Sequence, residues 1–281
     1  METIHYQNRI AIINDFTGFG RCSLAVEIPV ISSLGVECCP IPTSILSNHT
    51  AFSSWFLDDY TEKMLPYLEE WKKLGISFDG ILTGFLGSER QIAIVKQMIE
   101  EFSEREGHKT FVTVDPIMGD HGKVYSTYTK EMCNQMKQLV EAADLLTPNL
   151  TEACILTDTP YKESGWHLKE LSKMAEQLCG MGAKRVIISG ITMGQSIGNL
   201  LCEKGKGEIK LLRSKRVGTE RCGTGDIFSS ILAADAVNGV RLEDSVKKAM
   251  KFVKECILLT EQLSVPKTNG VCFEFLLKKL K

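Results

Sequence analysis

Short apolar runs alternate along the chain with longer segments whose apolar positions recur every third or fourth residue. Arg9 to Asn14 (RIAIIN) reads as a buried strand, followed by a Gly-rich turn and a helix from about Leu24 to Leu34. Val36 to Cys39 opens a second strand, which Pro40 and Pro42 are expected to turn into a polar loop. Glu62 to Leu74 reads as helix, Gly80 to Thr83 as a strand ending in Gly84. Gln91 to Phe102 reads as a helix with Ile92, Val95, Ile99 and Phe102 on one face. Phe111 to Val114 and Leu145 to Thr147 are strands stopped by Pro116 and Pro148. Leu168 to Leu178 is helical, and Arg185 to Ser189 is a strand ending in Gly190. Gln195 to Cys202 and Glu208 to Arg213 form a hairpin around Lys204-Gly205-Lys206-Gly207. Helices over Gly225 to Val237, Leu242 to Thr260 and Phe273 to Leu280 close the chain.

This alternation predicts an α/β fold, a mostly parallel sheet covered by helices on both faces. No Pro/Ser-rich linker, low-complexity tract or internal repeat divides it, so residues 1–281 read as one domain. Such sheets bind ligands at the carboxyl ends of their strands. Polar residues gather at those ends: Asn14-Asp15, Asp115, Thr147 to Asn149, and Ser189.

Composition narrows the class. Apolar residues make up 43% of the chain, enough for a large core. With 33 basic and 35 acidic side chains the net charge is −2, which removes the long-range field of non-specific nucleic-acid binding. Apolar stretches fall far short of the roughly 20 residues of a membrane span, and Met1 to Asn8 is polar, unlike a secretory leader. The ten cysteines include no C-x-x-C, and the five histidines lack ligand spacing. The expectation is a reducing, cytoplasmic setting in which most cysteines pack as small apolar groups.

The sharpest chemical signal is Arg221-Cys222-Gly223-Thr224-Gly225-Asp226, leading into an apolar helix. Glycines at a helix start let successive amides converge on one spot, and the dipole favours an anion there. Asp226 would sit beside that pocket, placed to accept a hydroxyl proton; in isolation it is equally an ordinary first-turn acid. Gly18-Phe19-Gly20-Arg21-Cys22-Ser23 resembles a dinucleotide fingerprint, but the second strand lacks the acidic residue that would hold a ribose. It fits the wall of a small-molecule pocket better. Ser47-Asn48-His49-Thr50 offers polar groups to a heterocycle, with Phe52 or Trp55 nearby, or is a self-bonded turn. Thr83 to Ser88 is either a turn capped by Ser88 or another wall. Asp115, Asp120 and Glu152, in Asp115-Pro116-Ile117-Met118-Gly119-Asp120 and Thr147-Pro148-Asn149-Leu150-Thr151-Glu152, are oxygen donors suited to Mg²⁺ or, singly, helix and turn caps.

Taken in order, the Gly-Thr-Gly-Asp helix start, Asp-Pro-x-x-Gly-Asp and Thr-Pro-Asn-x-x-Glu resemble the ribokinase superfamily. Leu46 to Thr50 and Thr83 to Ser88 resemble its vitamin B6 kinases, and the likeness runs from about Arg9 to Thr260. The resemblance implies a ribokinase-like three-layer α/β/α domain. It also implies transfer of the γ-phosphoryl group of ATP to the 5′-hydroxymethyl group of pyridoxal, pyridoxine or pyridoxamine. By that resemblance Asp226 is the catalytic base, and the amides of Gly223, Thr224 and Gly225 form the anion hole. Asn14, Asp15, Thr50 and Phe85 lie on the substrate side; Asn149, Glu152 and Ser189 lie on the nucleotide side. Asp115, Asp120 and Glu152 stand near Mg²⁺. A homodimer and a monovalent cation, K⁺ or Na⁺, are further implications.

Two departures bear on ring preference. Pyridoxal kinases often carry Ser at the place of Asn14 and Tyr at that of Phe85, and Asn14-Asp15 before Thr17-Gly18 is closer to hydroxymethylpyrimidine kinases. The alternatives are therefore a kinase for that pyrimidine and a non-catalytic B6-vitamer binder. Arg221 and Cys222 precede the anion pocket without a role in the catalytic set.

Overall fold

In the computed structural model, which describes residues 7–280, β1 (Arg9–Phe19) runs through the middle of the sheet. Its side chains alternate between two apolar layers, Ile10 and Ile12 toward one, Ala11 and Ile13 toward the other. After α1 (Leu24–Ser33) comes β2 (Glu37–Asn48), parallel to β1. The expected break at the prolines does not occur. Among the described residues the only strand on β2's outer side, β3 (Leu57–Asp59), pairs with Ser44 to Leu46 alone. Pro40 and Pro42 thus lie on a stretch with no outer ladder partner, where a missing N–H costs little. Ser47 and Asn48 consequently belong to a strand rather than a loop.

The chain continues through α2 (Thr61–Lys73), β4 (Gly80–Thr83) and α3 (Glu89–Glu101). Ser88 caps α3 by accepting from the Gln91 amide at 3.2 Å. A small hairpin, β5 (Glu104–Arg105) and β6 (His108–Lys109), precedes β7 (Phe111–Val114). A second, β8 (Gly119–Asp120) and β9 (Lys123–Val124), follows it. Then come α4 (Lys130–Ala142), β10 (Leu145–Leu146), α5 (Leu150–Leu156) and α6 (Leu168–Gly180). Strand β11 (Arg185–Met193) passes through Ser189-Gly190 instead of ending there, with the register slipping between Ile188 and Ile191. Gly190, at φ +69°, takes the left-handed conformation of that bulge. The predicted hairpin is β12 (Ser196–Glu203) and β13 (Ile209–Lys215). Helices α7 (Thr224–Val237) and α8 (Leu242–Gln262) follow, and the last predicted helix is a short 3₁₀ turn, Glu274–Lys279.

The nine-stranded sheet has the order β13-β12-β11-β10-β7-β4-β1-β2-β3. It is parallel from β11 to β2 and antiparallel at both edges. Helices α2 to α6 cover one face around Leu86, Val95, Met136 and Leu171; α1, α7 and α8 cover the other around Val30, Ile231 and Phe252. This is the expected three-layer α/β/α fold. From β1 the chain moves first to β2 on one side and later to β4 on the other. The crevice between the ends of β1 and β4 is thus the sheet's reversal point. Residues 1–6 and 281, which the one-domain reading includes, lie outside the described residues.

Candidate active site

At that reversal point Asn14 ends the β1–β4 ladder opposite Gly84. A Cβ on Gly84 would lie 2.3 Å from the Asn14 amide nitrogen, so only glycine admits the close approach. Asn14 is fully buried and its amide is bound on both sides. Oδ1 accepts from the Asp15 and Phe85 backbone N–H groups at 2.9 and 2.8 Å, and Nδ2 donates to Glu27 Oε1 at 3.0 Å. This side chain, expected to touch substrate, lies behind the cavity wall and positions the residues in front of it.

The cavity, of 640 Å³, runs along the strand ends. It brings together Asp15, Thr50, Phe85, Asp115, Asp120, Asn149, Glu152, Ser189, Gly223, Thr224, Gly225 and Asp226, every expected site residue except Asn14. Asp15 is clamped by the Ser23 and Thr17 hydroxyls, each donating at 2.6 Å, and burial pushes its carboxyl up. Phe85 is fixed by its own amide and by its carbonyl, which accepts from Thr43 Oγ1 at 2.9 Å. Thr50 stands exposed at the rim, beside the tilted ring pair of His49 and Phe52.

Helix α7 begins at the cavity. Gly223 is its N-cap at φ +89°, and a Cβ there would strike the Arg21 carbonyl oxygen at 2.3 Å. A Cβ on Gly225 would meet nothing within 4 Å, so the first turn of α7 borders open space at that residue. Asp226 is half-buried beside it. Burial pushes its carboxyl up to about 6; the Ser23 amide and the Asn14 side chain oppose that rise, and the Asp15 charge adds to it.

Asp115, directly after β7, and Glu152, in the first turn of α5, line the same cavity. Burial and then the Asp226 charge push Asp115 up to about 8; burial and then Asp115 push Glu152 well above the usual carboxylate range. Glu152 is also a cap, as the sequence allowed. Its Oε2 accepts from the Asn149 amide at 2.8 Å while Asn149 Oδ1 accepts from Glu152 N–H at 2.9 Å. Asn149 Nδ2 donates to the Gly119 carbonyl at 2.8 Å, tying α5 to the β8–β9 hairpin. Ser189 is held beside them by its amide bond to the Pro148 carbonyl at 2.9 Å. Asp120 stands nearer the rim, where His121 lies 2.9 Å from Glu220 and 3.7 Å from Asp120. Mutually repelling buried carboxylates are the hard oxygen donors that a Mg²⁺ ion relieves, so the residues present fit that metal.

Sequence reasoning missed the far end of the cavity, where Val217, Met250, Val253 and Ile257 line an apolar slot. Met250, Val253 and Ile257 have helix-core spacing, which gives no sign that they face a ligand.

The fold and the cavity define the class of ribokinase-like small-molecule kinases. A profile of the phosphomethylpyrimidine kinase family matches residues 27–272. A Bacteroides thetaiotaomicron protein classed as a phosphomethylpyrimidine kinase, crystallised in an orthorhombic form with pyridoxal, superposes with a TM-score of 0.92. The two share 33% identity over 98% of this chain and 96% of that one. The pyridoxine/pyridoxal/pyridoxamine kinase of Bordetella avium is 27% identical over 86% of this chain and 82% of its own. A Caenorhabditis elegans relative is 30% identical over 207 residues, 70% of this chain, and the match spans 61% of that protein's length. The chain belongs to the phosphomethylpyrimidine kinase family, within the ribokinase superfamily that also holds the pyridoxal kinases.

Proposed function

We propose that the chain is one kinase domain that transfers the γ-phosphoryl group of ATP to the 5′-hydroxymethyl group of a B6 vitamer. The observation that carries this reading is the position of Asp226. It lies at the open, amide-lined start of α7, in the same cavity as Phe85 and Thr50 and opposite Asp115 and Glu152. Phosphoryl transfer needs positioning and charge neutralisation more than covalent chemistry. Asp226 orients the hydroxyl and takes its proton as the oxygen–phosphorus bond forms. The amides of Gly223, Thr224 and Gly225 offset charge on the transferring oxygens. Asp115 and Glu152, with Asp120 toward the rim, would hold Mg²⁺, which neutralises phosphate charge when bound. Asn149, Ser189 and the slot of Met250 and Val253 take the nucleotide side. K⁺ or Na⁺ as a further ion rests on the superfamily likeness alone.

A hydroxymethylpyrimidine is the second reading, favoured by the matching family profile and by Asn14-Asp15. Turnover of pyridoxal, pyridoxine, pyridoxamine and hydroxymethylpyrimidine with Mg-ATP separates the two. Binding of a vitamer without any turnover would replace both with a non-catalytic binder.

The strand edge beyond the cavity supports a homodimer. Phe16 and Ile45, register partners on β1 and β2, are 43% and 38% exposed, and Phe19, Trp55, Phe56 and Leu57 lie exposed on neighbouring segments. A monomeric mass by light scattering would remove that part of the proposal. The ten free cysteines support a reducing, cytoplasmic setting, and no helix among the described residues is long and apolar enough to cross a membrane.

A further inference from the structure

Cys22 and Cys222 line the same cavity, one on the loop between β1 and α1, the other directly ahead of the N-cap of α7. Their loops are in contact, because the Arg21 carbonyl occupies the space a Cβ of Gly223 would need. Residues 268–271 bind both loops from outside. The Val271 amide donates to the Cys222 carbonyl at 3.1 Å, and Arg21 donates to the Asn269 carbonyl at 3.1 Å. The Cys222 thiol is also the strongest single influence on the Cys22 thiol, ahead of burial. Cys222 is the one exposed cysteine of the ten, whereas Cys22 is 6% exposed. The pair therefore has an accessible thiol directly ahead of a helix N-terminus. Behind it stands a sheltered second thiol, the arrangement of a reactive and a resolving cysteine. A different pair, Cys179 and Cys202, has its sulfurs 3.7 Å apart but both thiols buried.

We propose that Cys22 and Cys222 form a dithiol modification site that hydrogen peroxide converts to a disulfide across the wall beside the anion loop. The Cys222 sulfur attacks one peroxide oxygen, the O–O bond breaks, and the departing hydroxide takes the proton that the Cys222 thiol gives up and leaves as water. Cys222 is then a sulfenic acid. The Cys22 sulfur attacks that sulfur, the S–S bond forms, the S–O bond breaks, and the hydroxyl leaves as a second water with the Cys22 proton. Two sulfurs give up two electrons, and one peroxide is reduced to two waters. A disulfide holds its Cα atoms within about 4.4–6.8 Å, which draws Cys222 toward Cys22 and re-aims the Gly223 and Thr224 amides. The loss of turnover that this implies rests on the kinase reading; the cross-link does not.

The test treats the full chain with hydrogen peroxide, blocks free thiols and maps peptides by mass spectrometry. The expected result is a Cys22–Cys222 linked peptide, about 2 Da lighter than the sum of its reduced parts, reversed by dithiothreitol. It is absent from C22S and C222S and retained in C179S. Turnover of the oxidised protein falls at least about tenfold, because small displacements of a positioning group carry large rate penalties. C22S, measured against its own untreated rate, resists that fall. No linked peptide, or a Cys179–Cys202 link in its place, overturns the site. A complete link with undiminished turnover overturns its effect on the anion loop, and a link in a protein without kinase activity leaves the site standing while the kinase reading fails.

Discussion

Asn14 donates to Glu27 across 3.0 Å of the interior, joining the middle of β1 to the first turn of α1 beside Asp226. Glu27 is 1% exposed, and its second oxygen has no hydrogen-bond partner among the described residues. Burial and then the Asp226 charge push its carboxyl well above the usual range. Glu27→Leu strips Asn14 of its acceptor and should cost roughly 1–3 kcal/mol of stability. Glu27→Gln keeps a carbonyl oxygen there and should unfold in urea within about 1 kcal/mol of the parent. A Gln variant as unstable as the Leu variant would show that Asn14 does not depend on that bond.

Gly84, directly after β4, faces the same amide. Gly84→Ala would place a methyl group 2.3–2.7 Å from the Asn14 side-chain atoms. Those atoms are pinned by two backbone donors and cannot retreat. The expected outcome is destabilisation of about 1–3 kcal/mol, with lowered kcat, because Asn14 and Phe85 shift together. Unchanged melting and turnover would mean that the crevice yields more easily than its hydrogen bonds suggest.

Asp226→Asn removes the proton acceptor but keeps its shape. A positioned general base contributes roughly 10²–10⁴-fold, so kcat should fall at least about 100-fold while KM for the vitamer changes little. Steady-state kinetics decides this, and near-normal turnover would take Asp226 out of its proposed role.

The fold was legible because buried strands such as RIAIIN and RVIIS end at glycine, proline or polar residues, and the amphipathic helices keep their period. Two signals failed for physical reasons. Pro40 and Pro42 read as breakers, yet on a stretch without an outer partner they leave β2 intact. Asn14 reads as a ligand contact because polar strand ends normally face the crevice, whereas Gly84 lets it turn into the interior. Helix α4 went unassigned although Met132, Cys133, Met136, Leu139 and Val140 form a regular apolar stripe. Most of the polar wall of the cavity was legible because glycines and carboxylates are costly unless used; the apolar slot near Met250 and Val253 was not, since its chemistry is that of any core.

The acid limb of the rate profile follows from Asp226. Its carboxyl must be ionised to accept a proton, and burial holds it near 6 rather than at an ordinary carboxylate value. kcat/KM should rise with pH through about 6 and level above it. In Asp226→Asn the residual rate should lose that limb. A limb nearer 4 would mean that the carboxylate is solvated before substrate arrives.

Stability should run the opposite way with pH. Asp115 is pushed up to about 8, and Glu27 and Glu152 are also raised, chiefly by burial. Each binds its proton more tightly folded than unfolded, so the folded chain holds more protons between the ordinary carboxylate range and about 8. Folding therefore weakens as pH rises across that window. The ligand-free protein should melt at least about 3 °C lower at pH 8 than at pH 6, given roughly 2–4 °C per kcal/mol for a chain of this size. Added Mg²⁺ favours the ionised forms of Asp115 and Glu152 and should flatten the difference. Calorimetry at both pH values, with and without the ion, reads it directly. A melting temperature that rises toward pH 8 without metal would show that these carboxylates are not the repelling set whose relief is proposed to bind the ion.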